Sequence, residues 1–271
     1  MKGGAMMKPV LSVERLTVET IADDTPLVRD VSFTLFAGQI VGLVGESGCG
    51  KTVTSLALLR LLDEKVIRQS GRIQLDETDL MTLSDRTLRR VRGGQMAFIM
   101  QNPMSAFTPV YTIGHQLIET IRTHDRCSKR EAKDRAFEAL REVNLEEPDR
   151  ILKAYPFELS GGMLQRVMIA LAVCLRPDVL IADEPTTALD VYNQKLVLYY
   201  LEKVRATYGT AILLISHDFS VIAEMADQVL VMRHGEIVER ADVFDLFDRP
   251  KHPYTQQLLA QHGIQAGGMN A

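Results

Sequence analysis

The segment Gly45-Glu46-Ser47-Gly48-Cys49-Gly50-Lys51-Thr52 puts flexible backbone, one cation and one terminal hydroxyl side by side. Glycines allow successive backbone N–H groups to turn inward, a following helix adds the positive end of its dipole, and Lys51 adds a point charge. The sum is a cradle for the phosphates of a nucleotide, with the Thr52 hydroxyl available to a magnesium ion. A chance glycine turn could look the same. This one, however, lies between the apolar run 39–44 and a helix-like stretch over 53–62, where such a loop must lie. A second pair, Asp183 and Glu184, ends the apolar run 179–182. Asp183 suits a metal held through water, and Glu184 suits general-base work on an attacking water. Read alone, the same two residues are equally well a pair of solvated acids at a strand end.

These groups need elements to position them. Residues 11–18, 28–36 and 39–44 read as strands, and the third is apolar enough to be buried. Further strands are expected at 72–75 and 96–100. From about residue 102 to 176 the periodicity turns helical, with Ser128 and Glu131 forming a capping box ahead of Ala132, Ala136, Leu140 and Val143. Strand and helix then alternate through 179–182, 193–208, 211–215 and 219–225, which means a mainly parallel sheet covered by helices. Gly235 marks a hairpin between 229–232 and 237–239, and a short helix over 254–261 precedes a tail containing Gly267, Gly268 and Asn270.

The chain of 271 residues reads as one globular domain with a sizeable insertion. Its net charge of -4 and lack of a long basic run exclude the footprint of a nucleic-acid binder. Cys49, Cys127 and Cys174 are too scattered for a disulfide framework or a zinc site, which suits a reducing compartment. Residues 1–10 lack the apolar stretch of a signal peptide, so no export is expected. The longest apolar run, within 167–175, is too short to span a bilayer, so membrane association is expected only through a partner.

Leu159-Ser160-Gly161-Gly162-Met163-Leu164-Gln165 resembles the signature sequence of the ABC ATPases. Gln101, Ala188-Leu189-Asp190 and His217 follow that family's order, and the likeness runs over nearly the whole chain. The resemblance implies an α/β P-loop NTPase fold: a mainly parallel core sheet, an N-terminal antiparallel β-subdomain and an inserted helical lobe. The implied divisions are 1–101 with 177–249 for the core, 102–176 for the helical signature subdomain and 250–271 for the tail. It also implies ATP and Mg²⁺ bound in the seam of a head-to-tail dimer, each ATP gripped by one subunit's residues 45–52 and the other's Ser160, Gly161 and Gly162. His217 would contact the γ-phosphate and the water, Asp190 would link the two sites, and Gln101 would sense metal and water while touching a membrane subunit. Thr52, Gln101 and Asp183 form the implied metal set, and Glu184, His217 and Gln101 the catalytic set. Taken singly, Gln101 is also a surface amide, Asp190 a helix N-cap and His217 a polar residue between strand and helix.

Members of this family stack adenine on an aromatic residue near the end of the first strand, whereas the first aromatic here is Phe33. Thr20 or Ile21 takes that place, and weak discrimination between ATP and GTP is expected. Cys49 stands where Ser is more usual; it reads as a small residue tolerated in a turn, or as an accessible thiol that would make activity sensitive to alkylation. Ser-Gly-Gly-Met-x-Gln-Arg, Asn102-Pro103-Met104-Ser105-Ala106-Phe107-Thr108-Pro109 and His252-Pro253-Tyr254-Thr255 are similar to the subgroup importing peptides and nickel. The lack of a cysteine after Cys174, the short tail and the stretch from Tyr155 to Arg166, which is similar to the nickel-import ATPases, lean towards the nickel importers, with dipeptide or oligopeptide import as the alternative. The resemblance implies a sister ATPase or a second copy, two membrane permease subunits, an extracytoplasmic solute-binding protein, and a place on the cytoplasmic face of the membrane. A soluble translation or repair ATPase fits less well, because nucleic-acid contact is not expected.

Overall fold

A computed structural model describes residues 8–187 and 189–264. The chain runs β1 (Pro9–Thr20), β2 (Pro26–Phe36), β3 (Ile40–Val44), α1 (Lys51–Leu58), β4 (Ile67–Leu75) and β5 (Thr78–Asp79). Next come α2 (Asp85–Gly94), β6 (Met96–Ile99), α3 (Ile113–His124), α4 (Lys129–Glu142), α5 (Pro148–Lys153) and α6 (Gly161–Cys174). The remainder is β7 (Val179–Asp183), α7 (Val191–Tyr208), β8 (Ala211–Ile215), α8 (Phe219–Met225), β9 (Gln228–Arg233), β10 (Glu236–Asp242), α9 (Val243–Asp248) and α10 (Pro253–Gln261). Two compact units result, one from residues up to 84 and from 211 onward, the other from 85–210.

The first unit holds an antiparallel sheet in the order β2-β1-β4-β5 and a group in which β3 lies between β8 and β9. In β1 the buried positions Leu11 and Val13 give way to Leu16 and Val18, a change of parity that would turn one pair outward in a regular strand. Register shifts and a left-handed Arg15 (φ 49°) absorb the extra residue as a bulge, so both pairs face the core. Gly71 lies against the bulge, where a Cβ would come within 2.4 Å of the Arg15 carbonyl oxygen. β3 is buried along its whole length and pairs in parallel with β8 and β9, which is why it reads as an unbroken apolar run. β9 and β10 form the hairpin expected around Gly235, with His234 and Gly235 both at positive φ as a two-residue turn demands.

In the second unit β6 and β7 pair in parallel, and α3 to α6 build the helical part. Thr112 caps α3, and both halves of the Ser128–Glu131 capping box on α4 are formed. α6 is apolar on most of its surface and correspondingly buried from Leu164 onward.

Three local expectations change. The first helix stops at Leu58, short of residue 62, because Arg60 turns left-handed (φ 48°) and its guanidinium donates to the carbonyls of Leu80 (3.2 Å) and Leu83 (2.9 Å). β4 begins at Ile67, five residues early, its polar start recruited by pairing with β1. α2 was not expected at all: only Leu88 and Val91 of it are buried. The tail glycines Gly267 and Gly268, with Asn270 and Ala188, lie outside the described residues.

Candidate functional site

In the first unit the phosphate cradle grows out of the C-terminal end of β3. Gly45 is packed so closely that a Cβ would come within 2.2 Å of the Met232 carbonyl oxygen and 2.7 Å of Cys49 Sγ. Gly50 sits at φ 113°, against the Leu27 carbonyl, and leads into α1 with no side chain capping the helix. The first N–H groups of α1 are therefore left for an outside acceptor, as a phosphate would be. Glu46, Ser47, Gly48 and Thr52 are exposed, whereas Lys51 is only 6% exposed. Its Nζ donates to the carbonyls of Gly45 (2.8 Å) and Glu46 (2.9 Å) and, over a longer distance, to Cys49 Sγ (3.8 Å), so all three ammonium donors face the loop. Cys49 is 7% exposed, and burial pushes its thiol up against the opposing pull of Lys51. The accessible thiol considered from sequence is thus replaced by a packed one.

His217 joins this group through strand register. β3 and β8 run parallel with Leu43 beside Ile215, so the loop beginning at Gly45 and the exposed His217 leave neighbouring strands at the same end. Ser216 and Asp218 fix the turn: Ser216 Oγ accepts from Asp218 N (3.0 Å), and Asp218 caps α8 by accepting from Ser220 N (2.8 Å). Thr20 is tied into its own turn with Thr25, and Ile21 is exposed, so neither presents a flat ring to a base.

The second unit repeats this logic with different chemistry. β6 and β7 pair with Ile99 beside Ala182, which brings Gln101 and Glu184 out at one end. Gln101 Nε2 donates to Glu184 Oε2 at 2.9 Å, and the Thr187 hydroxyl donates to the same oxygen at 2.8 Å. Glu184 holds a left-handed backbone (φ 47°), unusual for a non-glycine residue, and Asp183 before it is buried. The pair is therefore not two solvated acids: one carboxylate is enclosed and the other is oriented by two donors.

The remaining predicted residues lie on helix starts. Ser160 caps α6 by accepting from Met163 N (3.3 Å), with exposed Gly161 and half-buried Gly162 as its first residues. A Cβ on Gly161 would meet nothing within 4 Å, and one on Gly162 would meet only the Asn193 side chain. Asp190 is indeed the N-cap of α7, accepting from Asn193 N (3.0 Å) and Asn193 Nδ2 (2.6 Å), and the Asn193 amide holds its carboxyl below the usual range.

Two functional contacts were not assigned from sequence. Gln165 is 1% exposed, and its Nε2 donates to the Pro185 carbonyl (2.9 Å), tying α6 to the residue after Glu184. Its place in the signature sequence was the available signal. The Tyr254 hydroxyl accepts from the Glu46 backbone N–H (3.2 Å), a contact between residues 208 apart, signalled only by the His252-Pro253-Tyr254-Thr255 pattern.

A family model described as ABC transporter matches residues 28–187. The chain is 47% identical over 236 residues to a probable peptide ABC transporter ATP-binding protein, y4tR, of Sinorhizobium fredii, covering 87% of this chain and 70% of that one. It is 42% identical over 252 residues to the dipeptide transport ATP-binding protein DppD of Haemophilus influenzae, covering 92% and 76%. Against the glutathione import ATP-binding protein GsiA of Shigella dysenteriae it is 45% identical over 263 residues, covering 93% of this chain and 42% of that protein. Among solved structures, the dimeric post-hydrolysis state of the ATP-binding cassette MJ0796 bound to ADP and Pi superposes with a TM-score of 0.76 at 25% identity, covering 86% of this chain and 98% of that one. With the α/β architecture, the cradle on β3 and the oriented Glu184 already in place, these likenesses establish that the chain belongs to the ABC transporter family, as one of its ATP-hydrolysing cassettes.

Proposed function

We propose that this cassette powers the import of a peptide through a membrane transporter. The observation that carries the cargo is the identity of 42–47% to proteins named for peptide, dipeptide and glutathione transport. The lean towards nickel rested on a short tail, an absent cysteine and the stretch from Tyr155 to Arg166, local features outweighed by likeness over 87–93% of the chain to those relatives. Peptide import, the alternative weighed from sequence, is the better reading.

For the chemistry, the N–H groups from Gly48 into α1 would cradle the ATP phosphates, and Lys51 would keep its hold on the two carbonyls while exchanging its long contact with Cys49 Sγ for a phosphate oxygen. Glu184, aligned by Gln101 and Thr187, would take a proton from the water whose oxygen bonds to the γ-phosphorus as the bond to ADP breaks. His217 would contact the γ-phosphate. The expected metal donors, the Thr52 hydroxyl, the Asp183 carboxylate and the Gln101 amide oxygen, are all oxygen atoms, the set magnesium favours. Gln101 spends its nitrogen on Glu184, which leaves its oxygen for a cation. Mg²⁺, when bound, neutralises developing charge on the phosphates.

The partners proposed are two permease subunits, a sister ATPase or a second copy of the chain, and an extracytoplasmic solute-binding protein, with the cassette peripheral on the cytoplasmic face. Among the described residues no helix is long and apolar enough to cross a membrane. On the second unit, Val110 (70% exposed), Tyr111, Tyr155 and Phe157 (65% exposed) supply apolar surface of the kind a permease segment would cover. The deciding experiment is uptake of a labelled dipeptide, beside radioactive nickel, in cells with and without the gene. Loss of dipeptide uptake alone supports the proposal; loss of nickel uptake alone overturns its cargo.

A further inference from the structure

The peptide unit joining Gly45 to Glu46 is held at both ends. Its carbonyl accepts from Lys51 Nζ (2.8 Å), and its N–H donates to the Tyr254 hydroxyl (3.2 Å). A peptide is planar, so fixing both ends fixes the rotation of the whole unit. That rotation needs an outside restraint because Gly45 has no side chain to resist turning.

Tyr254 is itself well secured. It is 4% exposed, Arg233 lies over its ring at 4.7 Å, and its own N–H donates to His252 Nδ1 (3.1 Å) at the start of α10. Glu239, on β10, accepts from the Lys251 N–H (2.7 Å) and the His252 N–H (3.0 Å), pinning the segment that leads into α10. Burial pushes the Tyr254 phenol up, so its oxygen stays a neutral hydroxyl able to accept from an amide. All of these residues belong to the first unit.

We propose that Tyr254 is a positioning residue for ATP binding: through the Gly45–Glu46 peptide it presets Lys51, so that α10 tunes the affinity of the phosphate cradle. The hydroxyl reaches no phosphate. It acts by lowering the cost of ordering the loop, since a lysine already held by two carbonyls has less freedom to lose when nucleotide arrives. The inference rests on residues 45–52 being the nucleotide site. It also gives a role to the His252-Pro253-Tyr254-Thr255 segment beyond marking a subgroup.

The test is ATP affinity and turnover of the full chain carrying Tyr254→Phe, which keeps the ring and removes only the oxygen. Loss of one such hydrogen bond should raise Kd and KM for ATP about three- to tenfold, with kcat within about twofold. Arg233→Leu, which leaves the hydroxyl in place, should change Kd by less than about twofold. Hydrogen exchange reads the same contact in the unmodified chain, where the Glu46 amide should be protected. Unchanged Kd in Tyr254→Phe, equal effects of both substitutions, or an unprotected Glu46 amide each overturn the proposal. If the unmodified chain fails to bind ATP, the nucleotide reading itself falls, whereas a normal wild type beside an unaltered Tyr254→Phe removes only the role of Tyr254.

Discussion

The loop at 45–52 and the signature at 160–162 are both glycine-rich starts to helices, yet their surroundings are opposite. Around Gly45 and Gly50 the chain has filled the space: Met232, Cys49 and Leu27 stand where their side chains would go, whereas Gly48 is open and held at φ 80°. Around Gly161 nothing stands within 4 Å, and Ser160 and Gly161 are exposed. Gly45 and Gly50 are explained by the chain's own packing and Gly48 by its left-handed backbone. Gly162 meets the Asn193 side chain, but Gly161 is explained by neither packing nor backbone, and a glycine that no internal contact requires is what an approaching outside group would require. One region is closed by the chain's own contacts; the other is open at its first glycine, as the half-site proposed for a second chain requires.

The largest test of that contrast is Glu184→Gln. Turnover should fall about 10²–10⁴-fold, the usual worth of a general base, while ATP binding persists. The ATP-loaded chain should then accumulate as a dimer in size-exclusion chromatography, making the second chain visible at the signature. Lys51→Ala attacks the self-sufficient region instead. Loss of a charge-assisted contact should weaken ATP binding about 10–100-fold by calorimetry, and an unchanged Kd would remove the loop from the nucleotide site.

A matched pair of glycine substitutions compares the regions directly. Gly45→Ala forces a Cβ onto the Met232 carbonyl and should cost about 1–3 kcal/mol, lowering Tm by about 2–10 °C. Gly161→Ala should leave Tm of the isolated chain within about 2 °C, because alanine suits a helix start with open space around it, yet reduce turnover of the assembled transporter about tenfold or more. Equal loss of Tm in both would erase the distinction.

Smaller effects follow. With Thr20 and Ile21 in place of an aromatic platform, KM values for ATP and GTP should lie within about tenfold of each other, since base stacking supplies only about 1–3 kcal/mol where it exists. Cys49 should resist alkylation at pH 8, lagging behind the half-buried Cys127, and Cys174, pushed up to about 12 by burial, should react last. The sign for Cys49 is that of an acid with a raised folded pKa: its thiol contributes stability below the unfolded value, lost as pH rises through the folded one.

Much of this was open to reading in one dimension. The loop at 45–52 is a short-range device, and its glycines, lysine and hydroxyl announce themselves; the pair Asp183 and Glu184 closes an apolar strand; α8 begins and ends where its periodicity says. What escaped was decided by distant parts of the chain. α2 carries too few apolar positions to show a period and bends at Arg92 and Gly93. The end of α1 depends on Arg60 finding carbonyls some twenty residues away, so apolar residues up to 62 looked like more helix. No spacing rule connects Tyr254 to Glu46. For Asp190 the plain alternative is realised, since it is an N-cap, and capping is compatible with the linking role the family resemblance implies.

The buried amide of Gln165 bears on idling. Helix α6 starts at an exposed end and, through Gln165, grips the carbonyl next to Glu184, the residue proposed to accept the water's proton. A load placed on the Ser160 end is therefore delivered along one stiff rod to Glu184, already held in an uncommon backbone conformation. On the proposed roles, a cassette with nothing seated on Ser160 should turn over slowly. Contact at the far end of that rod should then set the pace of hydrolysis.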